Sequence, residues 1–403
     1  MQTKLIERKE YIDFLIRHRD RDVIKVVSGV RRAGKSTLFE LYKRYLLANG
    51  VTAEQIISIN FEDLQYEDLQ DYRALHKYVS GKLLPDRMNY IFLDEIQHVE
   101  KFEKAVDSLF IKENTDIYLT GSNAYFMSGE LATFLSGRYV ELRMLPLSFS
   151  EYATALPDNM SLQAKYNSYV TDGSFPYIIR LDGRKEDIRE YLSGIYNTII
   201  VKDILTRLQV RDIKMLSSIV KYVFANVGSL LSPGKIANAM TSAGRKIDPK
   251  TVERYLQGLQ DSLIIYQANR YDVRGKELLK VHAKYYVVDM ALRSSITGNL
   301  GRDMGHILEN IVYLELVRRG YKVYVGDIPG GEIDFVAEKN GSLAYFQVAL
   351  STLSEDVLER ELKPLQMLND NYPKYLLTMD EYDMEADFAG IRKLNVLQWL
   401  ERA

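Results

Sequence analysis

One stretch limits the folds open to this chain more than any other: VVSGVRRAGKST, residues 26–37. A buried strand carrying Ile24, Val26 and Val27 runs into Gly29, and Gly29 and Gly34 let the backbone curl without a Cβ penalty. Lys35 then opens a helix whose free N–H groups favour an anion. The spacing Gly29-x-x-x-x-Gly34-Lys35-Ser36, set between a strand and a helix, is the Walker A pattern of a phosphate-binding loop. Gly29, Arg32, Ala33, Gly34, Lys35, Ser36 and Thr37 are therefore expected to hold a nucleotide, with Lys35 also meeting the charge of the transferred phosphoryl group.

The surroundings suit a parallel α/β sheet. Strand-like runs VIKVVSG (23–29), QIISINFED (55–63), YIFLDEI (90–96) and DIYLTGS (116–122) alternate with helical patterns, one of which stops at Gly50. The strands are apolar without alternation, so both faces of the sheet are expected to be covered. The chain has 403 residues, enough for two or three domains. It has no cysteine, which excludes disulfides and thiolate metal sites. No run approaches a membrane span and the first residues lack a signal peptide's apolar stretch, so a cytoplasmic protein with no membrane partner is expected.

A phosphate loop alone binds nucleotide; hydrolysis also needs a metal carboxylate and a group that orients water. YIFLDEIQ supplies both at a strand's C-terminal end, where open α/β sheets place their ligands. Asp94 is expected to hold Mg²⁺ jointly with Ser36, and Glu95 to polarise the attacking water. The next strand ends YLTGSN, and Asn123 or Ser122 is expected to sense the γ-phosphate there. ATP and Mg²⁺ are the expected ligands.

GVRRAGKST, FLDEIQ, LTGSN and LSGRYVELRMLPLSFSEY (135–152) together resemble the bacterial and archaeal AAA-type ATPases that carry a C-terminal domain of unknown function. These are similar to the branch of the AAA superfamily nearest the STAND signalling ATPases. The likeness extends through GSFPYIIR to EIDF and FQVA near the end, so it covers most of the chain. It implies nucleotide binding, without naming a substrate; a homo-oligomer is expected. It also makes Arg138 a candidate for the cation that neutralises transition-state charge, in its own chain or in a neighbour's site, and places Arg8 and Tyr11 where related ATPases cradle the base.

Downstream the pattern changes twice. Residues 153–208 read as a helical linker with GSFPYIIR as a loop. Residues 209–298 give three helices and then two β-rich runs, the order of a winged helix-turn-helix. Residues 210–290 hold thirteen Lys and Arg against seven Asp and Glu, a balance of +6, whereas 301–403 hold eleven against eighteen, a balance of −7. A DNA partner is expected for the basic segment, with a protein partner of a STAND-like switch as the alternative. From 299 to 403 a helix, a hairpin turning at Asn340-Gly341, a helix over 354–370 and a further strand are expected.

There, EIDFV followed by QVA is similar to the PD-(D/E)xK nuclease arrangement, with Glu309 matching that family's additional acid. Gln347 replaces the acid and Ala349 the lysine, so a nuclease-like domain without nuclease activity is expected. Lys322 and Lys339 are the candidates for a lysine that has migrated from another strand, and Asp334 and Glu332 for residual metal ligands. The fold expected is α/β throughout: a P-loop AAA-type sheet over 1–152, the helical linker, the winged-helix-like segment, and a restriction-nuclease-like α/β end.

Overall fold

The computed structural model describes residues 6–121, 135, 137–298, 303–382 and 384–402. The chain divides into two compact units, Met1–Pro146 with Asp261–Leu263, and Leu147–Gln260 with Ile264–Ala403.

The first unit is built on five parallel strands, β1 (Ile24–Gly29), β2 (Ile56–Asn60), β3 (Asn89–Asp94), β4 (Thr115–Thr120) and β5 (Tyr139–Met144). Their order is β2-β3-β4-β1-β5, so β4 stands between the strand that feeds the glycine loop and the strand that ends in Asp94. Helices α1 (Lys9–Arg17), α2 (Lys35–Ala48), α3 (Tyr72–Ser80) and α4 (Phe102–Phe110) cover the sheet. One face packs Val26, Ile59, Ile91, Leu93 and Leu119 against Leu75, Val79, Val106 and Leu109. The other packs Val27, Tyr90, Phe92 and Tyr118 against Leu15, Leu38, Phe39 and Tyr42. Two dry faces explain why the strands read as continuous apolar runs.

The glycines of the loop divide their work differently from the expectation. Gly34 takes φ +101° and caps α2, as a left-handed position requires. Gly29 is an ordinary strand residue; a Cβ there would stand 2.5 Å from the Met144 carbonyl oxygen on β5. Its small size serves strand packing, and Arg32, at φ 66°, takes the loop's other left-handed turn.

The second unit begins with α5 (Phe149–Ala155), α6 (Leu162–Asp172), a 3₁₀ turn Pro176–Leu181 where a loop was expected, and α7 (Lys185–Thr198). It continues with α8 (Ile213–Ala225), β6 (Leu230–Leu231), α9 (Pro233–Ser242), α10 (Pro249–Asp261), β7 (Ile265–Asp272), β8 (Glu277–Val287) and α11 (Met290–Thr297). The remainder is α12 (Met304–Arg318), β9 (Lys322–Ile328), β10 (Gly331–Lys339), β11 (Ser342–Ala349), α13 (Glu355–Gln366), β12 (Lys374–Thr378), β13 (Glu385–Phe388), β14 (Ile391–Asn395) and α14 (Val396–Glu401).

The three helices and the hairpin between 209 and 298 are present, but the hairpin does not end a module. β7 pairs in parallel with β9 (Arg270↔Val325, Asp272↔Asp327), so one nine-stranded sheet runs β13-β14-β12-β11-β10-β9-β7-β8-β6. Segments on both sides of the expected boundary at 298/299 thus supply strands to this one sheet. Helix α12 is buried from Ile307 to Leu316, as the central helix of such a sheet must be. Helix α13 stops at Gln366, short of residue 370, two residues after Pro364.

Candidate active site

The loop from Gly29 delivers Lys35 to the first position of α2, where it is buried and its Nζ donates to the Gly29 carbonyl at 3.1 Å. The same ammonium lies 4.0 Å from Glu95 Oε1. Asp94 ends β3 and is buried, while Glu95 is the next residue, in a left-handed conformation (φ 56°) that turns its carboxylate back toward Lys35. Ser36 acts on Asp94 as a group that favours its charged form. Lys35, Ser36, Asp94 and Glu95 thus converge at the C-terminal edge of adjacent strands. Burial raises the Asp94 pKa above its ordinary value, and hydrogen bonds from Thr120 and Ser36 offset that only in part.

Two residues complete this cluster that the sequence did not single out. Thr120, at the end of β4, donates its hydroxyl to Asp94 Oδ1 and accepts the Glu95 backbone N–H at 3.0 Å. Gln97 donates from Nε2 to Glu95 Oε2 at 2.6 Å, fixing the carboxylate opposite Lys35. The available signals were the polar end of YLT in a strand beside β3 and the glutamine two positions after the acid. Neither is informative without the strand order.

Arg32, Ser36 and Thr37 are exposed around the loop, and Ala33 is buried beneath it. Arg8 is a tether in this structure: its guanidinium donates to the carbonyls of Ala33 (3.2 Å) and Leu145 (2.8 Å), while Tyr11 OH accepts from the Leu145 N–H at 3.1 Å. Ser122 and Asn123 lie outside the described residues.

Arg138 is not brought to the others. It precedes β5, whose first residue Tyr139 pairs with Ile24, whereas the loop leaves β1 beside Met144. At about 3.3 Å per strand residue, that is on the order of 17 Å along the sheet. Its exposed guanidinium lies 5.9 Å from the Phe110 ring centroid, at the end of α4.

In the second unit, Glu309, Glu332 and Asp334 approach one another around Lys284 of β8. Neither lysine expected to have migrated is there. Lys322 is exposed and 3.8 Å from Glu338, and Lys339 donates to the Arg319 carbonyl.

Residues 21–153 match an AAA domain family, and residues 163–303 match a domain of unknown function. An uncharacterized protein of Haemophilus influenzae is 40% identical over 407 residues, covering 99% of this chain and 100% of its own length. The chain belongs to that protein's family. An uncharacterized protein of Methanocaldococcus jannaschii is 31% identical over 360 residues, 84% of this chain and 77% of its own length. Among solved structures, a Walker-type ATPase of Pyrococcus abyssi aligns with TM-score 0.48 at 16% identity, over 73% of this chain and 97% of that one. The Aeropyrum pernix ORC1 protein in complex with DNA aligns with TM-score 0.33 at 13% identity, over 74% and 94%. The AAA match spans all five strands of the first unit, so this family's N-terminal module is a P-loop AAA-type α/β domain. Among the described residues no helix is long and apolar enough to cross a membrane.

Proposed function

We propose that the protein hydrolyses ATP in a Mg²⁺-dependent reaction at this site and uses the cycle as a conformational switch. The observation that carries the reading is the convergence of Lys35, Asp94 and Glu95 at one strand edge, with Lys35 Nζ 4.0 Å from Glu95. The loop from Gly29 to Thr37 would cradle the phosphates, and Lys35 would exchange its Gly29 and Glu95 contacts for phosphate oxygens. The Ser36 hydroxyl and the Asp94 carboxylate would be the two hard oxygen donors that hold Mg²⁺. Bound there, Mg²⁺ would neutralise charge on the phosphates. Glu95, held by Gln97 and by the Thr120–backbone contact, would take the proton of the attacking water. Nuclease activity is not part of this reading.

Lys35→Ala should abolish ATP binding, while Glu95→Gln should keep binding and slow turnover by about a hundredfold or more. Equal ATP binding by wild type and Lys35→Ala would refute the assignment.

The switch would act on a partner through residues 209–298. DNA is suggested by the basic balance of 210–290, but two of those cations are spent internally: Arg270 pairs with Asp327, and Lys284 with Glu309 and Glu332. That observation favours the second reading, a regulatory ATPase whose partner is a protein. Duplex DNA binding that weakens steeply with salt and is lost on replacing Lys250 and Arg254 would decide for nucleic acid.

A further inference from the structure

The PD-(D/E)xK-like cluster does not fit a metal, and the reason is specific. Lys284, on β8 and twenty residues before the first residue of the nuclease-like helix α12, projects its ammonium among the acids. Its Nζ lies 2.9 Å from Glu309 Oε1 on α12, 2.6 Å from Glu332 Oε1 and 3.9 Å from Asp334 Oδ1 on β10. The Lys284 side chain is 6% exposed. We propose that the Lys284 ammonium is the resident cation of this carboxylate cluster, standing where a divalent metal would have to bind and fastening the β7–β8 hairpin to α12 and β10.

The groups around the ammonium also hold one another in place. Tyr286 OH donates to Glu309 Oε1 at 2.7 Å, and Asp334 Oδ2 accepts the Val348 N–H at 2.8 Å. Gln347 occupies the place of the missing acid and is used at both ends. Its carbonyl accepts from the Asp334 N–H (3.3 Å), and its amide donates to Glu361 (2.9 Å). The other Glu309 oxygen is roofed by Gly228, where a Cβ would stand 3.2 Å away.

The charges agree with an internal cation. Burial disfavours the Lys284 charge, but Glu309, Asp334 and Glu332 outweigh it and hold the ammonium protonated. The fastening has a neutral counterpart next to it: Asn310 of α12 accepts from the Val287 N–H (2.8 Å) and donates to the Val287 carbonyl (2.9 Å) at the end of β8.

The test counts bound Mn²⁺ on the full-length protein without nucleotide, by electron paramagnetic resonance, so it stands independently of the ATPase reading. Wild type and Asp334→Asn should bind the same amount. Lys284→Ala should gain one Mn²⁺ per chain, lost again in Lys284→Ala/Asp334→Asn, and its thermal midpoint should rise on adding Mn²⁺ while that of wild type does not. Lys284→Met, which keeps the stem's bulk, serves if the alanine variant does not fold. A wild-type Mn²⁺ site that Asp334→Asn removes would overturn the proposal, as would folded Lys284 variants that gain none.

Discussion

Replacing Thr120 by valine removes one hydroxyl that serves two groups of the candidate site and leaves the side chain's shape nearly unchanged. The hydroxyl donates to Asp94 Oδ1 and accepts the Glu95 N–H at 3.0 Å. A hydrogen bond to a charged acceptor is worth about 1.5–3 kcal/mol and a neutral one about 1 kcal/mol. Together they come to about 3 kcal/mol, which corresponds to about two orders of magnitude in rate if it is lost from the transition state. Neither bond is made by Lys35 or by the loop that would hold the phosphates, so ATP affinity should change by no more than about threefold, less than 1 kcal/mol. Steady-state phosphate release at saturating ATP reads kcat, and titration with a fluorescent ATP analogue reads affinity. Thr120→Val should lower kcat about a hundredfold, and Thr120→Ser, which restores the hydroxyl, should recover most of it. Wild-type kcat in the valine variant, or a serine variant no better than valine, would refute the reasoning.

Arg138→Ala should bind ATP normally and hydrolyse it slowly, and mixing it with Glu95→Gln should restore activity, because Arg138 lies too far along the sheet to serve its own loop. No rescue in freely exchanging mixtures removes the trans role and the oligomer it implies. Lys25 is fully buried and ion-paired with Asp116, so Lys25→Met should cost about 3–5 kcal/mol by stranding the carboxylate. An unchanged urea midpoint for the first unit would contradict that. Asp380 is desolvated, yet hydrogen bonds from Ser351, Lys393 and Thr352 outweigh burial and hold its pKa down at about 2. Its contribution, about 2 kcal/mol, is then fully present above pH ~4 and lost as pH falls toward 2. Asp380→Asn should be less stable than wild type at pH 7, with the difference closing in that window; a constant difference down to pH 2 would contradict it.

What could be read from the sequence follows from how local each requirement is. Gly34, Lys35 and Ser36 were legible because a left-handed turn opening a helix is decided within a few residues. Asp94 and Glu95 were legible because an apolar strand ending in two acids fixes where they point. Thr120 was not, since its role exists only through the placement of β4 beside β3. The buried Lys25 reads as an interruption in an apolar strand until Asp116, on the neighbouring strand, supplies its charge. Gly29 was assigned to the loop, although its constraint comes from Met144 on β5. The hairpin's true neighbour was hidden for the same reason: the pairing of Arg270 with Val325 is a non-local contact that no window of sequence contains. That pairing also belongs to the sheet that carries Lys284 among acids from two later elements.

The central claim is that Glu95 activates water against ATP held by Lys35. The most direct measurement is a single-turnover reaction with γ-labelled ATP and Mg²⁺, following both bound nucleotide and released phosphate for wild type and Glu95→Gln. Wild type should convert bound ATP to ADP and phosphate, while Glu95→Gln retains intact ATP and releases phosphate at least about a hundredfold more slowly. Phosphate release by Glu95→Gln at the wild-type rate, or intact ATP retained by both proteins, would contradict the account.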